Sequence, residues 1–170
     1  MRIFLIGFMA SGKSTFGRKL ASVMNFSFVD TDKKVENDTG LTILNIFREK
    51  GEVFFRETET GILNDLLLLD NVVIACGGGL PFHSANLYKM NRYGTTVFLK
   101  PPFHIINQRL LELKHSRPLL LEMGDDKFEQ KLKALYLKRL PIYREATFII
   151  DPQNADPAHI GKLIRERKSI

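Results

Sequence analysis

The run Gly7-Phe8-Met9-Ala10-Ser11-Gly12-Lys13-Ser14-Thr15 contains, over its first eight residues, the pattern G-x-x-x-x-G-K-[ST]. The glycines let the backbone curl so that successive N–H groups converge on phosphate oxygens. Lys13 is placed to reach the outer phosphates, and Ser14 offers a hydroxyl to Mg²⁺. The pattern has meaning only between a strand and a helix. Arg2-Ile3-Phe4-Leu5-Ile6 before it is apolar and strand-prone, and Phe16 to Met24 after it carries apolar residues at helical spacing. A helix starting there adds its partial positive charge to the site. The segment therefore implies nucleotide binding through Gly7, Ala10, Ser11, Gly12, Lys13, Ser14 and Thr15.

Other residues could join that chemistry. Asp30 and Asp32, in Asp-Thr-Asp, close a short apolar run. Two acids at the carboxyl end of a strand can serve a metal and a substrate hydroxyl, or they can cap a helix running into Lys33-Lys34-Val35. Gly77-Gly78-Gly79 follows another apolar run and is either a turn with closely approachable N–H groups or a plain tight turn. Arg56 and Glu59 are spaced to meet on one helix face, as an ordinary ion pair or as part of a site. Arg109 and Arg117 bracket a long aperiodic stretch, and an arginine carried by a closing lid can neutralise a transferring phosphoryl group. Arg139 precedes Leu140-Pro141-Ile142-Tyr143. Taken singly, each of these arginines also fits a surface position. Cys76 reads as a buried small residue, and His83, His104, His115 and His159 show no metal-ligand spacing.

The elements that must position these residues alternate. Strands are expected at Ile3–Ile6, Phe26–Asp30, Val72–Ala75, Thr95–Leu99 and Thr147–Ile150. Helices are expected at Lys13–Asn25, Thr42–Lys50, Glu52–Leu69, Ser84–Arg92, Phe103–Leu113, Lys127–Arg139 and Ala158–Arg167, with Gly51 punctuating and Pro141 disturbing the helix before it. Apolar strands without alternation, separated by helices, imply a parallel sheet covered on both faces. Residues 31–60 and 112–126 read as insertions on the substrate side, the second as a loop or lid.

The chain of 170 residues suits one domain with a real core. Its formal charge of +6 and isoelectric point near 9.5 admit nucleic acid, but the cations are spread and no basic tract interleaved with aromatics occurs. ATP and an anionic small substrate account for the excess equally well. One cysteine excludes an internal disulfide and fits a reducing compartment. The first apolar run is too short and glycine-broken for a signal-peptide core, and no stretch is long enough to span a membrane.

Together these segments resemble the shikimate kinases nearly end to end. The likeness is carried by Gly7–Thr15, Asp30-Thr31-Asp32, Phe55-Arg56-x-x-Glu59, Gly77-Gly78-Gly79, Arg117-Pro118-Leu119-Leu120, Arg139-x-Pro141-x-Tyr143, and Ile150-Asp151 followed by Pro157. The resemblance implies a three-layer α/β/α phosphate-loop kinase with a five-stranded parallel sheet, a substrate-binding insert and a lid. It implies ATP-dependent phosphorylation of the 3-hydroxyl of shikimate in aromatic amino acid biosynthesis, by a cytoplasmic monomer. Gluconate kinases of the same fold and a nucleotide-binding regulator without turnover are the alternatives. The implied roles are phosphate binding by Lys13 and the loop amides, Mg²⁺ binding by Ser14 and Asp30, and substrate-hydroxyl binding by Asp32. Arg56 and Arg139 would clamp the substrate carboxylate, with backbone contacts from Gly78 and Gly79. Arg117 would close onto the phosphates. Arg109 and the Asp151–Pro157 segment, including Asn154, would flank adenine. Some relatives carry arginine where this chain has Gln153, Asn154 and Ala155.

Overall fold

The computed structural model describes residues 1–83, 85–113, 120, 123 and 126–168. Its centre is an all-parallel sheet of β1 (Arg2–Ile6), β2 (Ser27–Asp30), β3 (Val72–Ala75), β4 (Thr95–Leu99) and β5 (Phe148–Ile150), in the order β2-β3-β1-β4-β5. The helices are α1 (Lys13–Met24), α2 (Thr31–Thr39), α3 (Ile43–Glu49), α4 (Gly51–Leu66), α5 (Asn86–Tyr93), α6 (Phe103–Glu112), α7 (Phe128–Tyr143) and α8 (Pro157–Lys168).

Alternation within β1 sorts the core into two layers. Ile3 and Leu5 point to one face and pack with Phe16, Leu20 and Met24 of α1 and Ile160 and Ile164 of α8. Phe4 and Ile6 point to the other and pack with Ile62, Leu63 and Leu66 of α4 and Leu132 and Tyr136 of α7. Residues of β1, β3 and β4 are buried on both faces, apart from Arg2, whereas edge strands β2 and β5 are partly exposed. That explains continuous apolar runs in the central strands. At the carboxyl edge of the sheet β1 runs into the phosphate loop, β2 passes through Asp-Thr-Asp straight into α2, and β3 runs into the triple-glycine turn.

Two expectations change. Helix α2 occupies the start of the insert, which reads as a helix only in the alternative that Asp30 is a cap. Only Thr31 and Val35 of its nine residues are buried, so it carries no apolar stripe to read. Helix α7 continues through Pro141 to Tyr143. Proline falls in its last turn and forgoes one N–H bond there, while Tyr143 is held between rings: stacked on Phe98 at 5.1 Å and edge-on to Phe82 at 5.2 Å. Within the proposed lid, Leu120 is buried in the core beside α7 and Met123 packs against it. Arg117 lies outside the described residues.

Candidate active site

The phosphate loop is held by contacts that only its sequence permits. Gly7 has φ +146°, and a Cβ there would lie 2.7 Å from the Leu99 carbonyl oxygen. Ala10 takes a left-handed conformation (φ +58°), a position open to any residue in the motif but strained for one with a side chain. Arg109 Nη1 donates to the Ala10 carbonyl at 3.0 Å, so this arginine braces the loop itself. Lys13 Nζ lies across the loop, donating to the carbonyls of Gly7 (3.0 Å) and Phe8 (2.8 Å). The first turn of α1, at Lys13, Ser14 and Thr15, lines a cavity of about 710 Å³, as do Arg109 and Gln153. Pro152, Gln153, Ala155 and Pro157 line this cavity, whereas the Asn154 amide turns onto Asp151 Oδ2 at 2.9 Å and does not. Asn154 thereby braces its own turn.

Asp30 combines the two roles left open for it. Its Oδ1 caps α2, accepting from the N–H groups of Asp32 (3.1 Å) and Lys33 (3.4 Å). Its Oδ2 accepts from Ser14 Oγ at 2.5 Å. The cap fixes the carboxylate, and the carboxylate fixes the serine. A hydroxyl beside one carboxylate suits Mg²⁺, which takes few protein ligands when phosphates and water supply the rest. Among the described residues no cluster of three or more His, Cys, Asp or Glu could hold a metal without such help.

The triple glycine is a packing requirement at two of its positions. A Cβ at Gly77 would come within 2.5 Å of Glu59 Oε1 and 2.6 Å of Asp32 Oδ1, and one at Gly79 within 2.5 Å of Arg56 Nη1. A Cβ at Gly78 would make only ordinary contacts. The Gly77 N–H, expected to be open to a ligand, is buried and donates to Thr31 Oγ1 at 2.8 Å. The Gly78 carbonyl accepts from Tyr143 Oη at 2.5 Å and from Arg139 Nη1 at 3.3 Å. Tyr143 thereby ties the end of α7 to the glycine turn, with its hydroxyl pushed up by burial.

Arg56 and Arg139 flank this turn. Arg139 sits over the rings of Phe82 (5.3 Å) and Phe8 (5.8 Å). Arg56 donates from Nη1 to Glu59 Oε2 at 2.6 Å and from Nε and Nη2 to Glu52 Oε1 at 3.1 and 3.0 Å. Glu59 is 1 % exposed, and burial pushes its carboxyl up to about 7 against the pull of Arg56. A solvated pair is thus excluded: Glu59 is an interior acid beneath the arginine. Spacing revealed the pair but not its burial. Both arginines, with Asp32, Gly78, Gly79 and apolar Ile43, Phe47 and Phe55, line a second cavity of about 530 Å³. Met9, Ser14, Asp30, Asp32 and Gly78 line both cavities, so the two meet there. Cys76 is buried nearby with its thiol pushed up by burial, which makes it a poor nucleophile.

A phosphate loop opening onto one cavity, with two arginines in the next, specifies a phosphotransferase acting on a small anion. The family model for shikimate kinase matches residues 9–167. The chain belongs to the shikimate kinase family. A shikimate kinase of Clostridium botulinum (strain Okra / Type B1) is 38% identical over 166 residues, covering 98% of this chain and 95% of the relative. One from Aquifex aeolicus is 44% identical over 146 residues, covering 86% and 83%. The solved structure of shikimate kinase from Acinetobacter baumannii in complex with shikimate superposes with a TM-score of 0.85 at 36% identity, covering 99% of this chain and 92% of that one. Family membership makes this chain an ATP-dependent phosphotransferase of aromatic amino acid biosynthesis. No described helix is long and apolar enough to cross a membrane.

Proposed function

We propose that this chain transfers the γ-phosphoryl group of ATP to the 3-hydroxyl of shikimate, giving shikimate 3-phosphate and ADP. The observation that supports the assignment is the meeting of the two cavities at Ser14, Asp30, Asp32 and Gly78, with room for nucleotide and acceptor on either side of these two carboxylates. In the larger cavity the loop amides and Lys13 receive the phosphates, while Arg109 and the Asp151–Pro157 segment flank adenine. Mg²⁺, held by Ser14 and Asp30, would offset phosphate charge when bound. In the smaller cavity Arg56 and Arg139 hold the substrate carboxylate, a task suited to planar forks, while Gly78 and Gly79 offer backbone contacts. Asp32 accepts the proton as the hydroxyl oxygen bonds to the γ-phosphorus and the bond to the β–γ bridging oxygen breaks. Arg117 reaches the transferring group from the lid. Positioning and charge neutralisation supply most of the rate.

Gluconate is the rival acceptor, since two arginines hold any small carboxylate. Family membership favours shikimate, and the retention of Lys13 and Asp32 favours turnover over a purely regulatory protein. The enzyme works as a monomer in the cytoplasm, where its single thiol stays reduced, and it uses no nucleic acid or membrane partner. ADP release is to be measured with shikimate, quinate, gluconate and nucleoside monophosphates. Release with shikimate at least a hundredfold above the rest is expected. Preference for any other acceptor would overturn the assignment.

A further inference from the structure

The edge of Arg56 that best receives a carboxylate already holds one. A guanidinium grips a carboxylate most favourably through two parallel N–H groups. In Arg56 the Nε and Nη2 groups, which form such an edge, both donate to Glu52 Oε1 at 3.1 and 3.0 Å. The remaining nitrogen, Nη1, is committed to Glu59 at 2.6 Å. The two acids differ sharply in freedom. The Glu59 side chain is 1% exposed beneath the arginine, whereas that of Glu52 is 61% exposed one helical turn before it on α4. The guanidinium is flanked on two sides. Gly79 lies against Nη1 and Cζ, and the Phe55 ring lies 5.0 Å from Cζ. A substrate carboxylate reaching this edge therefore meets an arginine with a displaceable acid on it.

We propose that Glu52 is an internal competitor for the substrate carboxylate, occupying the binding edge of Arg56 and leaving it when the substrate arrives. The inference rests on the assignment of Arg56 to the substrate carboxylate. Glu52 keeps Arg56 aligned and neutralised, and it lowers affinity by the free energy of the contact that the substrate must break. An exposed ion pair is weak, so the effect is modest. Removing the charge also removes repulsion between two carboxylates at one cation. Swinging Glu52 into water costs little, so turnover at saturation is preserved.

Calorimetric titration with shikimate and steady-state kinetics on Glu52→Gln test this. The isosteric amide keeps the side chain and removes the charge, and its fold is checked by thermal denaturation. A two- to fivefold lower Kd and KM is expected, with kcat within twofold of the parent. Acetate, a bare carboxylate, should inhibit the variant more strongly than the parent. In an Arg56→Ala background the Glu52→Gln gain should vanish. Unchanged or weakened shikimate binding in Glu52→Gln, where Arg56→Ala alone still weakens it, overturns the competitor role and leaves the Arg56 assignment standing. Unchanged binding in Arg56→Ala alone overturns the assignment itself and the competitor role with it.

Discussion

Glu59 is the residue whose environment departs most from what its spacing to Arg56 announces. Its carboxyl is pushed up to about 7, first by burial, with Arg56 opposing. A carboxyl raised in the folded state gives up its proton less readily there than in the unfolded chain, which begins to lose its own near the ordinary value of 4.5. The associated stability is full below about 4.5 and is lost as pH rises through about 7. The size is about 3 kcal/mol. Urea denaturation of the parent and of Glu59→Gln, which cannot titrate, should show the parent losing ground to the variant by an amount of that order between pH 4.5 and 8.5. A difference that stays constant with pH would mean that Glu59 ionises like a solvent-exposed acid. At this scale the sequence revealed which side chains meet, because helical spacing pairs Arg56 with Glu59. It did not reveal depth: Glu59 is interior because Gly77 brings the backbone against it, a contact between segments far apart in the chain.

The triple-glycine turn shows the same division among elements. Its place after β3 was legible from the apolar run before it, but its reasons were not. Gly77 and Gly79 lack side chains because Glu59, Asp32 and Arg56 from other elements fill the space, and Tyr143 at the end of α7 holds the Gly78 carbonyl. Helix α2 was legible only through its cap at Asp30, because its polar surface leaves no period. Gly79→Ala would force the Arg56 guanidinium off its seat. The expected result is at least about a tenfold rise in KM for shikimate, part of the roughly 2–5 kcal/mol that losing a buried charge partner costs, with ATP affinity nearly unchanged. Gly61→Ala, in α4 with nothing within 4 Å of the added methyl, serves as the control and should leave both constants as they are. Equal effects of the two substitutions would contradict the packing account.

Over the whole molecule, one sheet edge organises everything. The order β2-β3-β1-β4-β5 places the phosphate loop after the central strand, with the Asp-Thr-Asp and triple-glycine segments after the two strands on one side. Those three loops close around the junction of two cavities, and a net charge of +6 suits two anionic ligands. The parallel sheet and the gathering of these segments at its carboxyl edge followed from the sequence, since alternating strands and helices imply such a sheet and ligands gather at carboxyl edges; the strand order did not. The buried anchoring of Leu120 within a stretch lacking any helical period did not follow, because it depends on packing against the core rather than on local pattern. The proposed transfer is to the acceptor hydroxyl beside Asp32, where both cavities share their wall. Phosphorus–proton correlation NMR of the product formed from ATP and shikimate tests that proposal most directly. The account predicts one phosphate ester coupled to the proton on carbon 3, appearing in step with ADP. Coupling to a different ring proton, or ADP formed with no phosphorylated shikimate, would contradict it.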